Sequence, residues 1–248
     1  MVKGLDTFQK YFADYEEQYV LIGGAACDIL FESNEVNFRA TRDLDMVLIV
    51  EALTPEFGEK FWKFIVDGKY RNKATNGSNP QFYRFDKPED DEFPKMIELF
   101  CRSDFKLKNA KGITPIHIDD EVSSLSAILL NDDYYKALLN GKEVRNGLSV
   151  LRPEYIILFK AKAYLDLQKR KDSGEKLDSS DIKKHKKDVL RIASELMLEK
   201  VEKLPIAVDA DIHSFIDLLE QEPFDQNSLK RYGLKNENVV ELLKRVFG

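Results

Sequence analysis

Only two cysteines, Cys27 and Cys101, occur in 248 residues. That is too few for a disulfide framework and points to a reducing, cytoplasmic setting. Long apolar runs are missing: Met46–Val50 and Tyr155–Phe159 are among the longest, far from the ~20 residues a membrane span needs. The opening Met-Val-Lys-Gly-Leu-Asp leads into an amphipathic segment and not an apolar signal core. No stretch is compositionally simple and no segment repeats, which excludes a disordered or solenoid chain. Three histidines, His117, His185 and His213, have no helical metal-ligand spacing between them, and neither cysteine neighbours one in sequence. There is no Gly-x-Ser-x-Gly element, no Gly-Lys-Ser/Thr after a glycine turn, and no third glycine of a dinucleotide fingerprint. Excess basic charge is absent too. The net charge is −6, which argues against coating nucleic acid by charge alone.

What is present is a 43% hydrophobic, 11% aromatic chain, long enough for one large domain or two smaller ones with real cores. Apolar spacing predicts a helix over Leu5–Gln18, a strand Tyr19–Ile22 running into Gly23-Gly24, and a helix over Ala25–Phe31. Leu44–Val50 reads as a strand buried on both faces. Phe57–Val66 is helical, and Phe82–Phe85 and Met96–Cys101 read as the arms of an antiparallel hairpin around a solvated acidic loop. Ile113–Ile118, Ser126–Leu130 and Leu148–Leu151 are further strand candidates. After Pro153 strand signals stop, and Glu154–Arg170, Asp181–Lys200, Ile212–Glu220 and Val239–Phe247 all carry helical periods. The expected fold is therefore α+β: a mixed-sheet domain over residues 1–152 and a helical domain over 153–248. Residues 152–191 carry twelve Lys or Arg against seven Asp or Glu, a basic segment inside an acidic protein.

Chemistry concentrates in Tyr19–Val50. A strand that ends in Gly23-Gly24 and opens a helix leaves N–H groups unpaired and brings bare backbone close to a ligand, and both favour phosphate. In Arg39-x-Thr41-Arg42-Asp43-Leu44-Asp45, the two aspartates project to one face of a strand, roughly 7 Å apart. Their mutual repulsion calls for a divalent cation or for Arg39 and Arg42. An isolated Asp-x-Asp also occurs as a simple strand-end turn. Glu98, on one face with Met96 and Phe100, is a third acid that needs a metal, an arginine or solvent.

This order of a glycine turn, a same-face Asp pair and a later strand acid resembles the nucleotidyltransferase superfamily whose archetype is DNA polymerase beta. The finer Arg39-x-Thr41-x-Asp43-Leu44-Asp45 pattern is similar to the AbiEii-type nucleotidyltransferases, the toxins of bacterial type IV toxin–antitoxin and abortive-infection systems. Pro153-Glu-Tyr-Ile-Ile-Leu-Phe-Lys160 resembles that group's helix with a functional Lys. Lys187-Asp188 resembles its later Lys/Arg-Asp motif, so the likeness spans residues 19–191. Two positions depart from it: Gly23-Gly24 stands where Gly-Ser is common, and Glu98 where Asp is common.

The resemblance implies a nucleotidyltransferase fold and a metal-dependent transfer of NMP from an NTP to an acceptor hydroxyl. Asp43, Asp45 and Glu98 would be the catalytic and metal-binding residues, with Mg²⁺ or Mn²⁺. Gly23, Gly24 and Lys160 would meet the triphosphate, and Arg39, Thr41 and Asp188 would support the site. An RNA acceptor and a cognate antitoxin partner are implied; no membrane or DNA partner is expected. Read from the residues alone, Lys160 shares an apolar helical stripe with Ile156, Ala163 and Leu167 and needs an anion, either a carboxylate or a phosphate. Lys162 shares a side with Asp166 and Lys169, as an exposed lysine would. A small-molecule acceptor, a non-catalytic nucleotide- or partner-binding protein, and a coincidental Asp-x-Asp remain open alternatives.

Overall fold

The computed structural model describes residues 3–32, 43–72, 84–100, 106–109, 112–115 and 131–248. Arg39, Thr41, Arg42, His117 and the strand expected over Ser126–Leu130 lie outside the described residues. The chain is α+β, and its elements form two compact units, one built on a mixed sheet and one helical.

The sheet unit begins with α1 (Leu5–Phe12), a short 3₁₀ turn at Glu16–Gln18, β1 (Tyr19–Ile22) and α2 (Gly23–Glu32). It continues through β2 (Asp43–Leu48), α3 (Pro55–Asp67), β3 (Arg71–Asn72), β4 (Arg84–Asp86) and β5 (Met96–Phe100). A two-stranded ribbon, β6 (Lys106–Asn109) with β7 (Gly112–Pro115), follows. The seven-stranded sheet has the order β3-β4-β5-β2-β1-β9-β8, closed by β8 (Lys142–Arg145) and β9 (Leu148–Leu151). β2 runs parallel to β5 and β1 parallel to β9; the remaining pairs are antiparallel. The expected hairpin is therefore present as β4–β5.

Why these elements form is legible locally. Thr54 caps α3 by accepting from Phe57 N at 3.3 Å, and Pro55 sits at its first turn, where a missing N–H costs nothing. All four residues of β1 are buried, as befits a central strand. One sheet face carries an aromatic core. Phe8 and Phe12 of α1 stack at 4.5 Å, Phe12 meets Phe64 of α3 at 5.4 Å, and Phe61 of α3 meets Phe85 of β4 at 5.5 Å. Tyr19 of β1 joins them at 5.5 Å from Phe8. Each such ring contributes about 1.5–3 kcal/mol by leaving water, so α1 and α3 are pinned to this face by their phenylalanines.

The helical unit comprises α4 (Asp132–Asn140), α5 (Pro153–Asp172), α6 (Ser179–Glu195), α7 (Ile206–Gln221), α8 (Gln226–Arg231) and α9 (Asn236–Phe247). α5 is buried almost all round, with Tyr155–Phe159 inaccessible as a block, so it is the central helix against which α6 and α7 pack. α4 was not expected as a helix and precedes the expected boundary at residue 152, yet it packs with this unit. Tyr134 meets Phe159 at 5.5 Å and donates to Asp211 at 3.0 Å, and Asp133 accepts from Ala207 N at 3.0 Å.

Candidate functional site

The site is built at the end of β1. Val20 and Ile22 alternate with Tyr19 and Leu21, whose side chains point into the aromatic core, so Ile22 faces away from it. β1 pairs antiparallel with β2, placing Ile22 opposite Asp45, and β2 pairs parallel with β5, placing Asp45 opposite Glu98 and Asp43 opposite Met96. Register partners share a face, so Asp43, Asp45 and Glu98 all project from the sheet face opposite the phenylalanines. Neighbouring strands are about 4.8 Å apart, so Asp45 and Glu98 are adjacent and Asp43 lies one pleat repeat along. All three are half-buried, between fully buried Leu44, Met46, Ile97 and Leu99. None of the three is without an interaction partner.

The glycine turn closes on this row. Gly23 has φ +62°, a left-handed backbone that other residues adopt only with strain. A Cβ there would lie 2.2 Å from Asp45 Oδ2. The carboxylate of Asp45 thus occupies the space a side chain at residue 23 would take, with the first turn of α2 and buried Gly24 beside it. The first-turn N–H groups of a ten-residue helix and the carboxylate row consequently share one end of one sheet face.

The donor set, three carboxylates, suits a hard divalent cation such as Mg²⁺ or Mn²⁺. The glycine cradle around Asp45 fits that use, because it brings one carboxylate against a turn whose backbone carries N–H donors. The side chains themselves are not drawn together: among the described residues, no group of three His, Cys, Asp or Glu converges as a set of metal ligands.

A further acid of the same face carries no motif signal: Asp86 of β4 pairs with Met96 and so continues the row of Asp43, while the Arg84 backbone stands in register with Glu98. Asp86 is buried, and it is engaged. The alternation Arg84-Phe85-Asp86, with Phe85 in the core, was the available clue. Asp28, buried in α2, is a second acid missed amid Ala25–Phe31.

Lys160 and Asp188 belong to the helical unit. The Lys160 ammonium sits 2.9 Å from Asp188 Oδ2, with both side chains almost wholly buried. Of the two anions its apolar stripe allowed, the structure supplies the carboxylate. Asp188 is thus a buried ion-pair partner. Lys162, expected to be exposed, is half-buried and bridges Asp166 at 3.0 Å and Asp211 at 3.3 Å. The periodicity of α5 could not foresee Asp211, because that residue arrives from α7.

Comparison with known proteins finds no matching family model, curated protein or solved structure.

Proposed function

We propose that the sheet unit is a metal-dependent nucleotidyltransferase site that transfers NMP from an NTP to an acceptor hydroxyl. The observation that carries this reading is the packing of the Gly23 backbone on the carboxylate of Asp45, next to Glu98 in strand register. A phosphate binder needs bare backbone and helix N–H donors, and a cation-assisted transfer needs adjacent carboxylates; here the two requirements meet at one turn.

Asp43, Asp45 and Glu98 would hold Mg²⁺ or Mn²⁺. When bound, the cation supplies neutralisation of triphosphate charge and a lowered pKa for the attacking hydroxyl. Gly23 and Gly24 present N–H groups to the triphosphate without side-chain obstruction. Asp45, braced by Gly23, keeps a fixed place relative to that turn. Glu98, one methylene longer than the usual Asp, reaches from the neighbouring strand and accepts the proton of the acceptor hydroxyl. That oxygen bonds to the α-phosphorus as the bond to pyrophosphate breaks, an in-line exchange in which positioning and charge do the catalysis. Lys160 lies in the helical unit with Asp188 on its ammonium.

The test is incubation with each α-³²P-labelled NTP, Mg²⁺ or Mn²⁺ and total bacterial RNA, beside Asp43→Ala/Asp45→Ala. The expected result is label on RNA with the wild type and at least about 10²-fold less with the variant, the scale set by removing electrostatic catalytic groups. Label on small molecules instead would move the acceptor. One observation favours a second reading, a nucleotide-binding protein without turnover: the three carboxylates do not converge. A rise in melting temperature with NTP and metal, but no transfer to any acceptor, would establish that reading. Neither transfer nor shift would overturn both.

A further inference from the structure

In the helical unit an open groove of about 610 Å³ lies between α4 and the segment that leads into α7. Asp133, Lys136 and Asn140 line it at i, i+3 and i+7, so it runs along one stripe of α4. Its lining is largely apolar. Leu139, 38% exposed, shares it with Leu204, Pro205 and Ile206, and Ile206 stands 87% exposed at the first position of α7. Single exposed aliphatic residues are ordinary on a protein surface, but several that line one groove form a contiguous apolar patch, and such patches mark contact sites.

The groove is also charged. Asp133 is committed within it: Oδ2 accepts from Ala207 N at 3.0 Å, and Oδ1 lies 3.8 Å from the Lys136 ammonium. Lys203 is the second lysine, so two cations against one carboxylate leave the groove with an excess positive charge. Beyond Ile206 the sign reverses. Asp209, Ala210, His213 and Asp217 follow it at i+3, i+4, i+7 and i+11, all exposed, and form one solvent-facing stripe of α7. Asp209 has His213 Nδ1 at 3.7 Å from its Oδ1, and among the described residues it pairs with no lysine or arginine.

A cation, an apolar knob and an anion therefore follow one another along the chain as Lys203, Ile206 and Asp209, with the groove beside the knob. That order selects the occupant. An unrelated protein would need a knob and a groove of its own with the charges reversed, whereas a second copy brings them already matched. A two-fold axis beside Ile206 reverses the order, so each Ile206 enters the other copy's groove and each Lys203 turns toward the partner subunit's Asp209. The buried isoleucines supply the affinity, and the charge pairs at the rim fix the register. We infer that the chain forms a two-fold dimer through this groove, with Ile206 at the centre. The inference rests on no part of the nucleotidyltransferase reading.

The test is sedimentation velocity of the full chain across micromolar concentrations, without nucleotide or metal. Concentration-dependent dimerisation is expected. Ile206→Asp removes the knob from both halves of a symmetric contact and should weaken the dimer at least about 100-fold. An acid in the first turn of a helix suits its dipole, so this variant should keep the wild-type melting temperature, which separates lost association from lost folding. Lys203→Glu should weaken association about tenfold, and Lys203→Glu/Asp209→Lys should restore it, because the reversed pair meets across the axis. A chain that stays monomeric at its highest soluble concentration, a dimer indifferent to Ile206→Asp, or a charge reversal that the second substitution does not restore would each overturn the inference. The first would leave the groove to a peptide of another protein.

Discussion

Gly23 has no side chain, and Asp45 uses the room that one would fill. Gly23→Ala would add a Cβ 2.2 Å from Asp45 Oδ2 and force a non-glycine residue to φ +62°. The backbone alone costs about 1–2 kcal/mol, and moving the carboxylate adds to it. Urea unfolding should show a loss of at least that size, and nucleotide transfer should fall with it. Lys160 and Asp188 allow a second residue-level test. Breaking a buried pair strands a charge and costs about 3–5 kcal/mol, whereas replacing both members with apolar residues costs far less. Lys160→Met should therefore be strongly destabilised, and Lys160→Met/Asp188→Leu should recover most of the stability. If the double variant is stable and transfers nucleotide normally, Lys160 is structural; if it is stable and inactive, Lys160 serves phosphate.

Between elements, α1 and α3 are joined by more than phenylalanines. Tyr11 of α1 donates to Asp67 at the end of α3, and Lys63 donates to the same carboxylate at 2.6 Å. Hydrogen bonds from Lys63 and Tyr11 hold the Asp67 carboxyl below its ordinary value of 3.8, and the bond to Asp67 pushes the Tyr11 phenol up to about 12 from 10.0. The signs differ. The depressed Asp67 contributes stability that is present above about pH 4 and lost as the pH falls through its lowered value. The raised Tyr11 contributes stability that is present below pH 10 and lost as the pH climbs from 10 through 12. Tyr11→Phe should thus lower the melting temperature at pH 7, with the gap to wild type closing at both extremes; scanning calorimetry across pH checks it. Legibility also differs by element. Phe8 and Phe12 at helical spacing announced the buried face of α1, and the alternation in Met96–Phe100 placed Glu98 correctly. α4 was not legible, because Tyr134, Tyr135 and Leu138 acquire a core only from α5 and α7.

For the whole molecule, the division of the chain into units is not a division of the sequence at one point. α4 precedes β8 and β9 yet belongs with the helices, while β8 and β9 complete the sheet. A fragment ending at residue 152 would keep α4 but lose Phe159, Asp211 and Ala207, its ring and hydrogen-bond partners. Its tyrosines would then be uncovered, so the fragment should bind an apolar dye and aggregate where the full chain does not; dye fluorescence and sedimentation test this. Charge is likewise a property of parts. A net −6 hides the twelve basic residues of 152–191, and within them α6 gathers three lysines into one cavity while α5 buries another against Asp188.

By itself the sequence determined the alternations and periods: which residues enter the core, where β1 must yield to glycine, that Asp43 and Asp45 share one side of their strand, and that Glu98 lies opposite Ile97 and Leu99 on its own. Those follow from local geometry, since a strand repeats every two residues and a helix every 3.6. The tertiary structure decided the pairings. Parallel register put Glu98 beside Asp45, the β1–β2 pairing laid Gly23 on Asp45, and helix packing chose Asp188 for Lys160. Each joins residues distant in sequence, and no local preference specifies which distant partner closes the contact.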